Sequence, residues 1–175
     1  LGFLVIYKNI NSPINRIFSL LCFETLHWQL CWFISYFLAG DAAKDLIIRI
    51  AFYVIIFIPF KYYHFAVLFL KLLPEKNYVK LSYSFGIVFL VLLWSSKLFI
   101  EGFRDFWWGY YPREGLLFSF YLVIVFFYIT RALFLILQAI REKKSAVDQN
   151  KIRFMALAHF IYYFAAIEYA IDYGV

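Results

Sequence analysis

Cysteine is scarce in this chain: Cys22 and Cys31 are the only two among 175 residues. They sit nine positions apart on one expected helix, roughly 13 Å along its axis, which is too far for a disulfide. No disulfide framework is available, and the redox compartment cannot be read from them. Their expected role is small apolar packing. No glycine-rich loop precedes a helix, no cysteine pair has metal-ligand spacing, and no serine, histidine and acid occur in a hydrolase context. These gaps exclude the motif-borne phosphate, zinc and nucleophile chemistry of soluble enzymes. Internal repeats, low-complexity linkers and a recognisable signal peptide are lacking too.

What the chain has is apolar length. Hydrophobic residues make up 65% and aromatic residues 25%, with a mean hydropathy of +0.77. Both lie far above the usual share of a soluble domain. Runs near the ~20 residues that span a bilayer cover Ile17 to Leu38, Leu46 to Leu70, Leu81 to Ile100, Leu116 to Ile140 and Phe154 to Asp172. Leu1 to Tyr7 reads as the tail of one more, so the chain is expected to be a fragment. The expected fold is all-α: a polytopic transmembrane helix bundle of five complete spans plus a truncated N-terminal one. Residues 1–175 form a single membrane-embedded domain in this reading.

The connections set the expected topology through their Lys and Arg. "KNINSPINR", "KLLPEKNYVK" and "REKKSAVDQNKIR" together carry ten, whereas "AGDAAKD" and "EGFRDFWWGYYPREG" carry three. The first group is expected in the cytoplasm and the second outside, with the C-terminal end also outside. A net charge of +6 is thereby spread over turns facing anionic headgroups, and nucleic acid is not an expected partner. Ser12 before Pro13 reads as an N-cap with proline at the first helical position, and Gly40 before Asp41 as a helix stop and restart. Pro59 should free the Ile55 carbonyl and hinge its span unless a neighbour takes that acceptor.

Ionisable groups within spans are costly and usually face the bundle interior. Glu24, His27, Lys61, His64, Arg131 and His159 each fall roughly 7–15 Å from the cytoplasmic end of their span by helical rise. Glu24 with His27, and Lys61 with His64, share helix faces at i, i+3. One intramembrane polar cluster is expected, with Glu24 and Arg131 as its ion pair. It serves either as a structural core or as a relay with two arrangements; His64 and His159 as haem or metal ligands are the lesser alternative. No cofactor or metal is otherwise expected, and no catalytic residue is assigned.

A second set lies near the outer face: Arg49, Lys97, Glu168 and Asp172, accompanied by Trp32, Trp94, Trp107, Trp108, Tyr110 and Tyr111. They read either as an interfacial belt or as the floor and rim of an outward ligand or lipid pocket. Gly109 and Pro112 imply a defined turn, so "FRDFWWGYYPREG" is expected to form a folded cap rather than a loose hairpin.

"KNINSPINRIFSLLCF", "IPFKYYHF", "FRDFWWGYYPREG" and "QNKIRFMALAHFIYYFAAIEYAIDYGV" together resemble the seven-helix N-terminal membrane region of bacterial sensor histidine kinases and diguanylate cyclases. The resemblance runs over nearly the whole chain. It implies a sensor-transducer domain of two-component or cyclase signalling in the bacterial inner membrane, its N-terminus outside. A last helix and a kinase or cyclase module would follow the equivalent of Tyr173 and Gly174, so catalysis would belong to that module. The rival expectation is a non-catalytic accessory subunit of a larger membrane complex, touching pigment, quinone or haem. Expected partners are the lipid bilayer, a cytoplasmic output module or other membrane subunits, and a second copy of the chain in a homodimer.

Overall fold

The structure is a computed structural model that describes residues 1–107, 109–142 and 146–165. It is mostly helical: α1 (Gly2–Lys8), α2 (Pro13–Ser35), α3 (Asp41–Ile55), α4 (Ile58–Leu70), a 3₁₀ turn (Leu73–Glu75), α5 (Lys76–Ser95), α6 (Leu116–Arg141) and α7 (Ala146–Ala165). Two strands, β1 (Ile100–Phe106) and β2 (Gly109–Glu114), sit between α5 and α6. Among the described residues, three segments are long and apolar enough to cross a membrane: Pro13–Ser35, Leu73–Ser95 and Leu116–Arg141.

Local chemistry explains most boundaries. Ser12 is the N-cap of α2 with Pro13 in its first turn, where a missing N–H costs nothing. Gly40 precedes α3 at φ +90°, a backbone state that glycine adopts without a Cβ penalty. At the end of α4, Lys71 takes the left-handed conformation at φ 58°. Leu72 N–H then donates to Val67 O and Lys71 N–H to Leu68 O, the paired bonds of a Schellman ending.

The expected second span, Leu46 to Leu70, is not one helix. It divides into α3 and α4 at Ile56 and Phe57, because the Pro59 nitrogen has no hydrogen to give the Ile55 carbonyl. Tyr121 Oη donates to that carbonyl at 3.4 Å, so a neighbouring helix satisfies the orphan acceptor. Phe57, at the break, stacks near Tyr83 and lies where a Cβ on Gly86 would fall. Glycine at 86 makes room for the break.

The all-α expectation is also corrected. The expected third span, Leu81 to Ile100, ends as a helix at Ser95 and its last residue opens β1, while the helix begins earlier, at Lys76. β1 and β2 pair antiparallel, Phe106 opposite Gly109 and Phe103 opposite Pro112, with an irregularity between Ile100 and Gly102. The cap is therefore an ordered hairpin. Arg104 faces Glu114 at 3.8 Å and Arg113 faces Glu101 at 3.5 Å, opposite charges that favour the register. The last expected span begins at Ala146 rather than Phe154, and its far end lies outside the described residues.

Aromatic packing forms the core beneath the hairpin. Phe99 and Phe118 are buried and meet each other edge-on at 5.3 Å, while Phe99 also meets Phe52, Phe89 and Tyr121. Such pairs contribute about 0.5–1.5 kcal/mol each beyond area burial. Large apolar side chains remain exposed on α2, α5 and α6, among them Leu26, Phe33, Val91, Val123 and Phe134. Apolar surface on this scale is unusual for a soluble monomer.

The hairpin base is clamped by backbone: Gly115 N–H donates to Phe99 O and Leu117 N–H to Leu98 O, both at 2.9 Å. A Cβ at Gly115 would collide with the Leu98 carbonyl, whereas one at Gly102 would meet open space. Gly115→Ala is expected to lower stability by about 1–3 kcal/mol, as overpacking does. Gly102→Ala is expected to change it by about 0.5 kcal/mol or less. Thermal unfolding in micelles checks the contrast, and equal effects would contradict the clamp.

Candidate functional site

Four consecutive residues of α4, Lys61, Tyr62, Tyr63 and His64, each engage a different part of the molecule. Successive helical residues point about 100° apart, so four in a row sweep the whole circumference. Lys61 pairs with Glu24 of α2. Tyr62 Oη shares a hydrogen bond with His159 Nδ1 of α7 at 2.9 Å. Tyr63 Oη donates to Glu75 of the 3₁₀ turn. His64 Nδ1 shares a hydrogen bond with Tyr83 Oη of α5 at 3.0 Å.

Arg131 of α6 completes the third contact. Its Nε and Nη2 reach Glu75 Oε2 and Oε1, each at 2.8 Å, and Nε also donates to Tyr63 Oη at 3.2 Å. The guanidinium carbon lies 3.9 Å from the centroid of the Tyr78 ring. A bidentate fork on a carboxylate combined with an aromatic face is the geometry that arginine serves and lysine does not. Tyr128 Oη donates to the Tyr78 carbonyl at 3.2 Å, which ties the start of α5 to α6.

This corrects the expected Glu24–Arg131 pair. α4 packs against both α2 and α6 and supplies a separate partner to each, Lys61 to Glu24 and Tyr63 to Arg131. His27 stands apart from these bonds: its Nε2 donates to the Ile50 carbonyl at 3.3 Å, on the α3 side of the break. His64 and His159 are not brought together either. They bond to different tyrosines, and Tyr62 and His64 point to opposite sides of α4. Among the described residues, no group of three or more His, Cys, Asp or Glu side chains could hold a metal ion.

The outer set divides. Arg49, Trp94 and Lys97 line one shallow cleft of about 530 Å³ with Asp45, Leu46, Ser95 and Ser96. Trp32 lies elsewhere, stacked on Tyr111 with ring centroids 4.9 Å apart and planes at 16°, which docks the hairpin onto α2. Trp107 is 97% exposed, next to the hairpin turn. Trp108, Glu168 and Asp172, and the side chain of Tyr110, lie outside the described residues.

Several site residues escaped sequence reasoning: Glu75, Tyr62, Tyr63, Tyr83, Tyr121 and Asp45. Glu75 follows Pro74 in a connection and reads as solvated. Tyrosines are too numerous, at 15, for any one to stand out. The "KYYH" run was the available signal, because four adjacent polar side chains within an apolar helix cannot all face one neighbour. No protein-family model, curated protein or solved structure matches the chain.

Glu75→Gln is expected to destabilise the fold by about 2 kcal/mol, the scale of a charge-assisted hydrogen bond lost. Combined with Arg131→Met, it should add much less than the sum of the single effects, because both remove one interaction. A double-mutant cycle from unfolding in micelles measures this coupling, and additive effects would contradict the fork.

Proposed function

We propose that the chain is a membrane sensor-transducer domain whose moving part is the joint between α3 and α4. The observation that carries this reading is the run Lys61 to His64, which ties one short helix to α2, α5, α7 and the Glu75–Arg131 pair at once. A tilt of α4 at Phe57 and Pro59 would have to be felt by each of these elements. The outer hairpin has two routes to that joint. One runs from Tyr111 to Trp32 on α2, and the other from Phe99 to Tyr121, which bonds the Ile55 carbonyl.

In this reading α2, the α3–α4 pair, α5, α6 and α7 each cross the bilayer, with the connections richer in Lys and Arg in the cytoplasm. Contact order supports the antiparallel arrangement. Along α2, Phe18, Glu24 and His27 meet Phe65, Lys61 and Ile50, so partner numbers fall as α2 numbers rise. Along α5, Tyr83 and Leu93 meet His64 and Arg49, again in opposite order. On α6, Tyr121, Tyr128 and Arg131 meet Ile55, Phe60 and Tyr63, in the same order, as two helices crossing in one direction would. α3 and α4 fall short of a span only when each is measured alone, because the break divides one path.

The host membrane in this proposal is the bacterial inner membrane, and the output is the kinase or cyclase module that the sequence resemblance implies. Intact-mass measurement of the native polypeptide, with sequencing of peptides beyond Val175, tests it. A mass well above 21.0 kDa with kinase or cyclase peptides is expected. A mass near 21.0 kDa without them would overturn the transducer reading and favour an accessory subunit.

A further inference from the structure

The cleft at the start of α3 and the end of α5 has lopsided hydrogen bonding. Both oxygens of Asp45 are taken by Arg49 Nε, at 3.0 and 3.1 Å, and Arg49 Nη1 donates to the Leu93 carbonyl. Among the described residues, the one carboxylate lining the cleft is thus paired with Arg49. By contrast, the Lys97 ammonium, the Ser95 hydroxyl and the Trp94 indole N–H have no hydrogen bond or ion pair among the described residues. Arg49 Nη2 makes no hydrogen bond among the described residues and leaves a further cationic edge. Free donors around an occupied acceptor form a site for an anion, and its volume of about 530 Å³ falls within the ~300–1,000 Å³ of small-ligand sites.

The rim adds a second property. Leu46 is 52% exposed and Trp94 50% exposed, and both line the same cleft as the cations. A ligand that meets all of these side chains needs several acceptor oxygens at one end and apolar bulk beside them. Phosphate supplies the oxygens and accepts from Arg and Lys strongly. Trp at a membrane interface commonly packs against the lipid region just below the headgroups.

We propose that this cleft binds the phosphate of a glycerophospholipid. Lys97, Ser95 and the free edge of Arg49 hold the phosphate, and Leu46 and Trp94 hold the start of the acyl chains. The proposal rests on the membrane orientation given under Proposed function and supplies a ligand class for that sensor. The occupied Asp45 has a positioning part: it fixes the Arg49 side chain along the cleft wall instead of letting it extend into water. A soluble phosphate ester shares the headgroup chemistry but would leave the apolar rim unused.

The test uses the native protein in phosphate-free alkyl maltoside micelles, titrated with dihexanoyl-phosphatidylglycerol and read by tryptophan emission. A saturable shift is expected, and Trp94→Phe should remove it. Lys97→Gln should weaken binding about tenfold, the effect of losing one charge-assisted hydrogen bond, while Lys97→Arg should retain it within about threefold. Lys97 is exposed, so neither substitution disturbs the core. Inorganic phosphate in a parallel titration should bind at least about tenfold more weakly, since it gains nothing from the rim. Unchanged affinity in Lys97→Gln, or equal binding of an uncharged diacylglycerol, would overturn the phosphate site. Inorganic phosphate binding as tightly as the lipid would overturn the lipid as its source. Binding is read without any kinase or cyclase output, so failure here and failure of the transducer reading are separately visible.

Discussion

Four polar side chains in succession on α4 each hold a partner on another element, and the rest of the bundle is arranged around those contacts. Leaving a buried polar group without a partner costs about 1–3 kcal/mol. The helical turn forbids Lys61, Tyr62, Tyr63 and His64 from sharing one neighbour. Lys61 turns to Glu24, Tyr62 to His159, Tyr63 to Glu75 with Arg131, and His64 to Tyr83. In the membrane orientation proposed above, lipid tails are as apolar as leucine, so the helices would be held by close packing and hydrogen bonds more than by exclusion of water. Here those bonds converge on a helix of 13 residues.

Pro59 explains why so short a helix can occupy that position. It interrupts the path from Asp41 to Leu70, so α4 takes its direction from its own contacts and not from α3. Interruption normally leaves a carbonyl bare, and the Tyr121 hydroxyl on α6 covers it. Phe57 fills the outside of the break because Gly86 of α5 has no side chain there. The joint is therefore a packed structure with contributions from two other helices. Its outer neighbour is the aromatic group around Phe99, which joins the hairpin base to Phe52 of α3.

Composition and charge were enough to read the membrane-like character of the chain, and local chemistry placed Ser12, Pro13, Gly40 and the consequence of Pro59. Pairing was not legible. Helical rise alone assigned Glu24 and Arg131 similar expected depths, but depth is one coordinate, and only the placement of α4 reveals that each has another partner. The hairpin was hidden for a related reason: "FRDFWWGYYPREG" has the aromatics of an interfacial belt, and its strand pairing depends on Phe103 meeting Pro112 across the ladder, a relation between positions nine apart. The outer set mixed residues that line one cleft with residues that serve elsewhere. Arg49, Trp94 and Lys97 line one cleft, whereas Trp32 and Tyr111 dock the hairpin.

The central claim is that α4 holds separate neighbours through separate side chains. Hydrogen–deuterium exchange on Tyr62→Phe and Tyr63→Phe, in nanodiscs and compared with the unsubstituted protein, tests it most directly. The account predicts faster exchange in α7 around His159 for Tyr62→Phe, and faster exchange around Glu75 and the start of α5 for Tyr63→Phe. Identical exchange maps for the two variants, or no change in either, would contradict it.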